Sequence, residues 1–272
     1  MTFAPKRGSY YRMPVFFGPM PGPRQWPPGM QCDFAKTPKR QALAVRYLTD
    51  HALLRSHLPD CFEIWDEPVI TVEVTYMSEL GWLAGRGYNM CDVKFPAIFK
   101  GKDGPIYGTL LLVRFEDLTD PILSGREELG HNKLYCEIPP LRQHQGRIAT
   151  AMSWLHHPFL KLAAWDLEDA ETPAPDPLNR GLLSYKYLPR TGVWGTADVE
   201  YATLTPPAWS GRTTRRRVGQ GSVEFIQAAW EDLPTLHHLV NAMHALPQFE
   251  PRGAVVYEME GGASGAETHI VE

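Results

Sequence analysis

The feature that most constrains this chain is a succession of short apolar segments separated by glycine, proline and aspartate. Many-stranded sheets must close on themselves or be covered, because an open edge exposes unpaired backbone groups. The sequence therefore predicts a mainly β (α+β) protein whose curved sheet or barrel encloses a pocket. The predicted strands, rich in β-branched and aromatic residues, are 42–49, 69–76, 107–115, 134–138, 148–154, 182–188, 197–203, 221–227 and 254–258.

Helical patterns are scarce by comparison. Asp50 can cap a short helix over 51–58, which Pro59 would end. A second helix is predicted over 233–246 with Asp232 as its N-cap. Apolar residues recur along it at helical spacing, so one face should be buried against the outside of the sheet. These residues are Leu236, Leu239, Val240, Met243 and Leu246.

Composition narrows the function classes. The chain has 272 residues, 43% of them hydrophobic, and a net charge of -4, so we expect neither a nucleic-acid nor a membrane partner. Its beginning contains no apolar stretch of signal-peptide length, which favours a cytoplasmic protein. The four cysteines are widely spaced without a C-x-x-C pair, and the histidine pairs lack a third ligand at a recognised spacing. We therefore expect reduced thiols and no metal site.

Proline and glycine divide the chain into three parts. Residues 1–28 form a proline-rich and aromatic-rich arm, residues 29–260 the β domain, and residues 261–272 a small, polar tail that we expect to be flexible. The arm could pack on its own barrel, on a partner subunit, or across the mouth of a pocket. The first of these interpretations is favoured.

One stretch carries candidate chemistry. The sequence S-G-R-E-E-L-G-H-N-K joins a charge cluster to Lys133, which opens the strand 134–138. A lysine at the mouth of a strand can have its amine held where water is scarce. Burial disfavours the ammonium form and lowers the pKa, and a neutral amine is a nucleophile for ketones. The alternative is an ordinary exposed lysine.

The run G-R-E followed after five residues by lysine resembles the signature of the acetoacetate decarboxylase family. In that family G-R-E precedes P-K-K, and the first lysine forms a Schiff base with a ketone. The resemblance assigns this catalytic role to Lys133. Two departures stand out: the family proline is Asn132 here, and the second lysine is Leu134. Lowering of the Lys133 pKa would then depend on desolvation or on another cation such as Arg126.

Further landmarks of the family occur in the same order. The resemblance places Arg40, second in an early strand, at the active site, and pairs it with Glu73 at the end of E-P-V-I-T-V-E. Met90 falls where the family carries a second glutamate, and Glu79 or Asp92 could replace that carboxylate in space. P-R at 189–190, A-W-S-G at 208–211 and D-L-P at 232–234 also match. The implied fold is an antiparallel, cone-like β-barrel with the lysine inside.

The resemblance implies a cofactor-independent carbon–carbon lyase that acts on a small-molecule keto substrate. Lys133 would form the iminium ion; Arg40, Glu73, Met90 and Arg126 would bind substrate. His131 and Asn132 could move protons, donate hydrogen bonds or only shape the loop. A decarboxylase of β-keto acids or related larger ketones is predicted. An aldolase, dehydratase or cyclase of secondary metabolism, and a non-covalent binder, are the alternatives. The family habit also predicts a homo-oligomer.

Overall fold

The computed structural model describes residues 4–208 and 210–272 and confirms a mainly β protein with few helices. The helices are α1 (His51–Arg55), α2 (Thr119–Ser124) and α3 (His237–Ala245), with 3-10 turns at Val15–Phe17 and Gly81–Leu83 and a π-helical turn at Gly125–Leu129. The strands are β1 (Lys39–Leu48), β2 (Phe62–Ile64), β3 (Val69–Ser78), β4 (Tyr88–Gly101), β5 (Gly104–Glu116), β6 (Lys133–Tyr135), β7 (Arg142–His144), β8 (Arg147–Trp154), β9 (His157–Asp169), β10 (Leu182–Pro189), β11 (Ala197–Thr205), β12 (Arg212–Phe225), β13 (Glu250–Glu260) and β14 (His269–Val271).

The strands form one sheet in the order β14-β11-β10-β5-β4-β3-β1-β13-β12-β9-β8-β7, with β2 on β4 and β6 on β5. Most neighbours are antiparallel. The exceptions lie along β5, which pairs in parallel with β10 at Thr109 and Leu110 and with β6 at Arg114 to Glu116. One edge of β5 therefore serves two strands in succession, and the sheet forks there.

The prediction of a closed barrel is wrong, because the sheet is open. In the described part of the chain, its end strands β14 and β7 do not pair with each other. The approach to closure is a single bridge between Glu137 and Ser153 of β8. β6 is only three residues long, and Pro139 and Pro140 follow soon after it. Proline has no backbone N–H to donate, so the ladder cannot continue there.

The core is formed by buried residues of the strands packed together with residues of α1 and α3. On α3, Val240 is fully buried and Met243 nearly so, as the spacing predicts. The helix is shorter than predicted: its first α-helical residue is His237 and its N-cap is Leu236, not Asp232. The turns from 230 to 236 precede it instead. At α1 the Asp50 carboxylate does accept a hydrogen bond from the Leu53 N–H at 2.7 Å.

The C-terminal end of the chain differs from the sequence interpretation. The 261–272 segment, for which a flexible tail is predicted, ends in β14 on β11, with Val271 buried. The arm lies against its own domain, where Pro23 and Arg24 reach the mouth of the pocket. The first three residues of the arm and Trp209 of A-W-S-G lie outside the described residues.

Candidate active site

A short helical connection carries the chain from the end of β5 back to its own edge. α2 runs directly into the π-helical turn, which ends at Gly130 with a φ of 76°. Three residues later Lys133 opens β6, opposite Arg114 of β5. The register places Asp92 of β4 on the other side of Arg114. Three charged residues therefore follow one another across three adjacent strands.

Arg126 and Asn132, expected to bind substrate, instead hold the backbone around the lysine. Arg126 donates a hydrogen bond to the Lys133 carbonyl at 2.9 Å. The Asn132 amide donates to the Leu111 carbonyl at 2.9 Å, and the Asn132 carbonyl accepts from the Arg114 N–H at 2.8 Å. Neither side chain lines the pocket. The structure therefore brings them near the lysine as supports of the loop.

Lys133 is buried, with 5% of its surface exposed. Its Nζ lies 2.7 Å from Glu116 Oε1 and donates to the Pro121 carbonyl at 2.9 Å. Burial lowers the pKa of Lys133 to about 8, against the opposing effect of Glu116. Arg114 and Arg24 lower this pKa further. The neighbouring cations are thus these two arginines, whereas Arg126 was the cation considered from the sequence.

Gly125 explains why the motif begins with glycine. A Cβ at this position would lie 2.2 Å from Lys133 Cε and 2.6 Å from its Nζ. The φ of Gly125 is -71°, an ordinary helical value, so the requirement is for space and not for an unusual backbone. The lysine side chain reaches its buried position by passing over the bare backbone of Gly125.

The pocket in front of Lys133 has a volume of about 450 Å³. Strands β1, β3, β4, β5 and β6 form one wall, and the arm and the 262–265 segment form the opposite side. Apolar and aromatic residues supply much of the lining, as in most small-molecule sites. They include Phe34, Met77, Leu80, Trp82, Tyr88 and Met90.

A chain of ion pairs runs along the polar wall. Arg114 binds Asp92 through two hydrogen bonds, Nε to Oδ1 at 2.5 Å and the second nitrogen to Oδ2 at 2.7 Å. Lys94 lies 3.2 Å from Glu73 and 3.7 Å from Asp92. Burial opposes the charge on Lys94, but Glu73 and Asp92 raise its pKa above the ordinary value. Lys94 therefore remains an ammonium ion, whereas Lys133 loses its proton more easily.

Arg40 and Glu73 both line the pocket, but they do not pair as the resemblance implies. Within the described residues, no ion pair joins them. Arg40 donates to the Gly261 carbonyl at 2.7 Å, and its buried Nε has no partner. Glu73 is held by Lys94 because β4 brings that lysine alongside it. The guanidinium of Arg40 thus keeps unused donor capacity beside the pocket.

Met90 lines the pocket, and the structure separates the two candidates for the missing carboxylate. Asp92 is buried on the pocket wall and bound to Arg114. Glu79 is half-exposed and pairs with Lys39 at 2.9 Å, away from the pocket. Asp92 is therefore the one that shares the pocket with Lys133.

His131 is buried beside the lysine and lines the pocket. Burial, with the charges of Arg114 and Lys133, holds its pKa well below the ordinary value, so the ring is neutral. Its Nε2 lies 3.0 Å from the Thr205 hydroxyl, and Nδ1 is buried without a partner. A neutral imidazole in this position can exchange a hydrogen bond with a bound molecule.

The arm and the C-terminal segment meet above the pocket at one arginine. Arg24 donates to Glu128 at 2.7 Å, to the Ser264 carbonyl at 2.9 Å and to the Ser124 carbonyl at 3.1 Å. Arg12 lies 3.2 Å from the other oxygen of Glu128. The second glutamate of G-R-E-E is therefore an anchor for the arm.

The sequence interpretation missed Glu116, Arg114, Lys94 and Arg24. Two of them had a detectable signal, because Arg114 and Glu116 interrupt the otherwise apolar end of a predicted buried strand. Charged residues are rarely buried without a partner. Because they are two residues apart on a strand, Arg114 and Glu116 lie on the same face of the sheet. The sequence does not show with which residue each of them pairs.

No group of three or more His, Cys, Asp or Glu residues suited to a metal ion occurs in the described ranges, 4–208 and 210–272. No helix in the same ranges has the length and apolarity needed to cross a membrane. All four cysteines are free thiols, and Cys91 and Cys136 are buried.

Comparison with known proteins identifies the family to which this forked, largely antiparallel sheet and its pocket belong. The family model for acetoacetate decarboxylase (ADC) matches residues 12–258. The chain belongs to the acetoacetate decarboxylase family, as the G-R-E and lysine pattern predicted.

Relatives agree with this assignment. The acetoacetate decarboxylase of Clostridium botulinum is 24% identical over 230 residues, which cover 80% of this chain and 87% of that protein. The crystal structure of acetoacetate decarboxylase from Legionella pneumophila has a TM-score of 0.63 at 18% identity and covers 87% of this chain and 88% of that one. At such identities the structural likeness establishes the fold.

Two further solved structures share this fold. An acetoacetate decarboxylase-like enzyme from Sphingomonas wittichii RW1 has a TM-score of 0.65 at 15% identity, covering 86% of this chain and 92% of that one. The enduracididine biosynthesis enzyme MppR, complexed with the condensation product of pyruvate and imidazole 4-carboxaldehyde, has a TM-score of 0.65 at 14% identity, covering 86% and 87%. Family membership supports an enzyme of the lyase type.

Proposed function

We propose that this protein is a lyase that acts on a keto acid through a Schiff base on Lys133, and that decarboxylation of a β-keto acid is its reaction. The observation that carries the proposal is the Lys133 amine, buried at the pocket with a pKa of about 8. At that pKa about a tenth of the amine is neutral at pH 7, whereas an exposed lysine is almost entirely protonated.

The reaction follows from the chemistry of the amine. Neutral Lys133 attacks the ketone carbon, and loss of water from the carbinolamine leaves an iminium ion. In a β-keto acid, the bond to the carboxylate breaks and its electrons move into the iminium, which gives carbon dioxide and an enamine. Protonation of the enamine carbon and hydrolysis of the imine then release the ketone and restore Lys133.

Arg40 supports an acidic substrate. Among the described residues, its buried Nε has no partner, and its other nitrogens make one hydrogen bond, to the Gly261 carbonyl. A guanidinium with free donors binds a carboxylate well. Because Arg114 and Lys94 are already paired with Asp92 and Glu73, Arg40 is the better candidate for the substrate carboxylate.

The lining supports a substrate larger than a four-carbon keto acid. A cavity of about 450 Å³ lies in the range of sites that hold ligands of drug size. Trp82 and Tyr88 meet edge to face with ring centroids 6.3 Å apart, and Met90 replaces a charged family residue. Methionine adapts to irregular apolar groups. We expect a keto acid with an apolar or aromatic substituent.

Met90 also favours a second candidate, in which the enamine adds to an aldehyde or loses a β-hydroxyl. Without the family glutamate, the pocket lacks a group expected to steer the breaking carbon–carboxylate bond. MppR, which shares the fold, was solved with a condensation product of pyruvate and an aldehyde. Release of carbon dioxide from a β-keto acid, compared with condensation of a 2-keto acid with an aldehyde, separates the two candidates.

The experiment that tests the proposal is borohydride trapping with a panel of keto acids, read by intact mass and peptide mapping. We expect an adduct on Lys133 and none on Lys94, a second lysine of the same pocket that is held as ammonium. Lys133→Ala and Lys133→Arg should lose the adduct and at least about 10⁴-fold in turnover, since neither can form the imine. Lys94→Arg should keep the adduct. Full turnover by Lys133→Ala would refute the covalent mechanism and indicate non-covalent catalysis in the pocket.

A further inference from the structure

Glu116 is a carboxylate that the sequence interpretation does not use. It is fully buried, with 0% of its surface exposed, and does not line the pocket. Its Oε1 lies 2.7 Å from Lys133 Nζ. In the described part of the chain, neither oxygen has a further hydrogen-bond donor. The reacting amine is thus the single polar partner of a carboxylate that water does not reach.

This is a poor arrangement for a structural counter-ion. A buried carboxylate that serves only as a counter-ion is stabilised by several donors, because desolvation otherwise exceeds the Coulombic gain. Asp92, on the neighbouring strand, has two hydrogen bonds from Arg114. Glu116 has the same kind of burial without such donors. Its position is explained better by what it does to Lys133.

Burial acts in opposite directions on the two groups. It raises the pKa of Glu116 above its ordinary value, against the effects of Lys133 and Arg114. It lowers the pKa of Lys133. The two values move toward each other, so the energetic cost of moving a proton from the ammonium to the carboxylate is reduced.

Other charged and titratable groups face the pair from every side. Arg114 lies on the same strand as Glu116, Arg24 reaches in from the arm, and His131 is in the adjoining loop. Asp92 and Tyr88 face it from β4. Asp92 and Arg114 neutralise each other, His131 is neutral, and Arg24 is paired with Glu128. Burial is the largest influence on the Lys133 proton, and Glu116 is the largest among the surrounding charged groups.

We propose that Glu116 is the proton acceptor of Lys133, a catalytic role that rests on the proposed function. Glu116 takes a proton from the ammonium and leaves the free amine. The amine attacks the ketone, and the nitrogen proton passes to the oxygen of the carbinolamine. Glu116 then returns its proton as that hydroxyl leaves as water. The products are the iminium ion, water and the Glu116 carboxylate, which remains as counter-ion to the iminium.

The test is Glu116→Gln, which keeps the shape of the side chain but cannot accept the proton. Labelling of Lys133 by dinitrophenyl acetate, which needs no ketone, gives the pH midpoint of amine reactivity. Without the negative partner the ammonium is less favourable, so the midpoint should fall by about one pH unit or more. Turnover at the optimum should nevertheless fall about 100-fold or more, as when other proton-transfer groups are removed.

The two readouts together distinguish proton transfer from a structural role. A simple counter-ion predicts that freeing the amine preserves or increases the rate. An unchanged midpoint, or unchanged or faster turnover, in Glu116→Gln would overturn the proposal. Glu137→Gln, in which a partly buried carboxylate near β6 and outside the pocket is changed, is the control and should leave the midpoint unchanged. If Glu116→Gln fails to fold, Glu116→Asp takes its place. In that variant the turnover rate should fall by a larger factor than the rate of Lys133 labelling. Equal factors would overturn the proposal.

Failure of the proposed function gives a different result. In that case wild type would trap no keto acid with borohydride, although its Lys133 would still be labelled. A lower labelling midpoint in Glu116→Gln would then support the proton pair, while the absence of trapping would count against the Schiff-base reaction. The labelling experiment thus tests the Glu116–Lys133 pair, and the trapping experiment tests the proposed function.

Discussion

Two ion pairs lie side by side in this protein and behave in opposite ways. Asp92 and Arg114 face each other across β4 and β5 and share two hydrogen bonds. Burial raises the pKa of Asp92, but Arg114 outweighs burial and lowers it below the ordinary value. Glu116 and Lys133 are equally buried, yet burial prevails in both. The comparison teaches that the number of donors, and not burial alone, decides whether a buried pair stays ionised.

Breaking the well-bonded pair should have the largest effect on stability. Arg114→Met leaves the Asp92 carboxylate buried with only Lys94 nearby, at 3.7 Å. We expect a loss of about 3 to 5 kcal/mol in the free energy of unfolding, measured by urea denaturation at pH 7. Lys161→Met, which breaks an exposed pair with Glu224, is the control and should change little. Equal losses in the two variants would contradict this account.

Displacing the lysine of the weaker pair should impair catalysis while the fold persists. Gly125→Ala introduces a Cβ where Lys133 Cε lies, 2.2 Å away, so the side chain must move. A displacement of this size can reduce turnover about 100-fold. Turnover and borohydride trapping would be measured, with circular dichroism as the control for folding. Wild-type turnover in Gly125→Ala would show that the lysine does not need its present path.

The pH dependence of stability should separate the pairs by pH range. The pKa of Lys133 is lowered to about 8, so below pH 8 the folded state holds an unfavourable ammonium. Stability should rise by about 2 kcal/mol between pH 8 and 10, where the unfolded lysine still binds a proton. The double variant Glu116→Gln/Lys133→Met should lack this rise. A rise of the same size in both would exclude Lys133 as its source.

In acid the Asp92 pair should act in the same direction, over a lower pH range. Its carboxylate has a lowered pKa, so its contribution to stability is complete above about pH 4 and is lost as the pH falls through the folded value. Wild type should therefore lose more stability than Asp92→Asn between about pH 4 and 2. Parallel curves for the two proteins, followed by circular dichroism, would contradict this expectation.

The smallest effect on the pocket is expected from the arm. Deletion of residues 1–28 removes Arg12 and Arg24 from Glu128, and it removes the exposed side chains of Met13 and Phe17. Homo-oligomer formation stays a prediction, and the deletion should reduce oligomer size or solubility in light scattering. A monomeric intact chain would contradict it.

The sequence by itself determined the mainly β fold, the family and the candidate lysine. Alternation of apolar residues marks strands because the side chains of a strand have a period of two, and the motif around Lys133 is local. Arg40, Glu73, Met90 and His131 also line the pocket together with Lys133. Each of these inferences depends on neighbours in the chain or on a short pattern.

Only the tertiary structure decided how the sheet ends and which charges meet. The open sheet follows from a three-residue β6 and the prolines after it, whose consequence depends on where β8 lies. Glu116 reaches Lys133, and Glu73 pairs with Lys94 and not with Arg40, because strand register and the return of β6 onto β5 bring distant residues together. Electrostatic partners are chosen by distance in space and by desolvation, and neither quantity is encoded in sequence spacing.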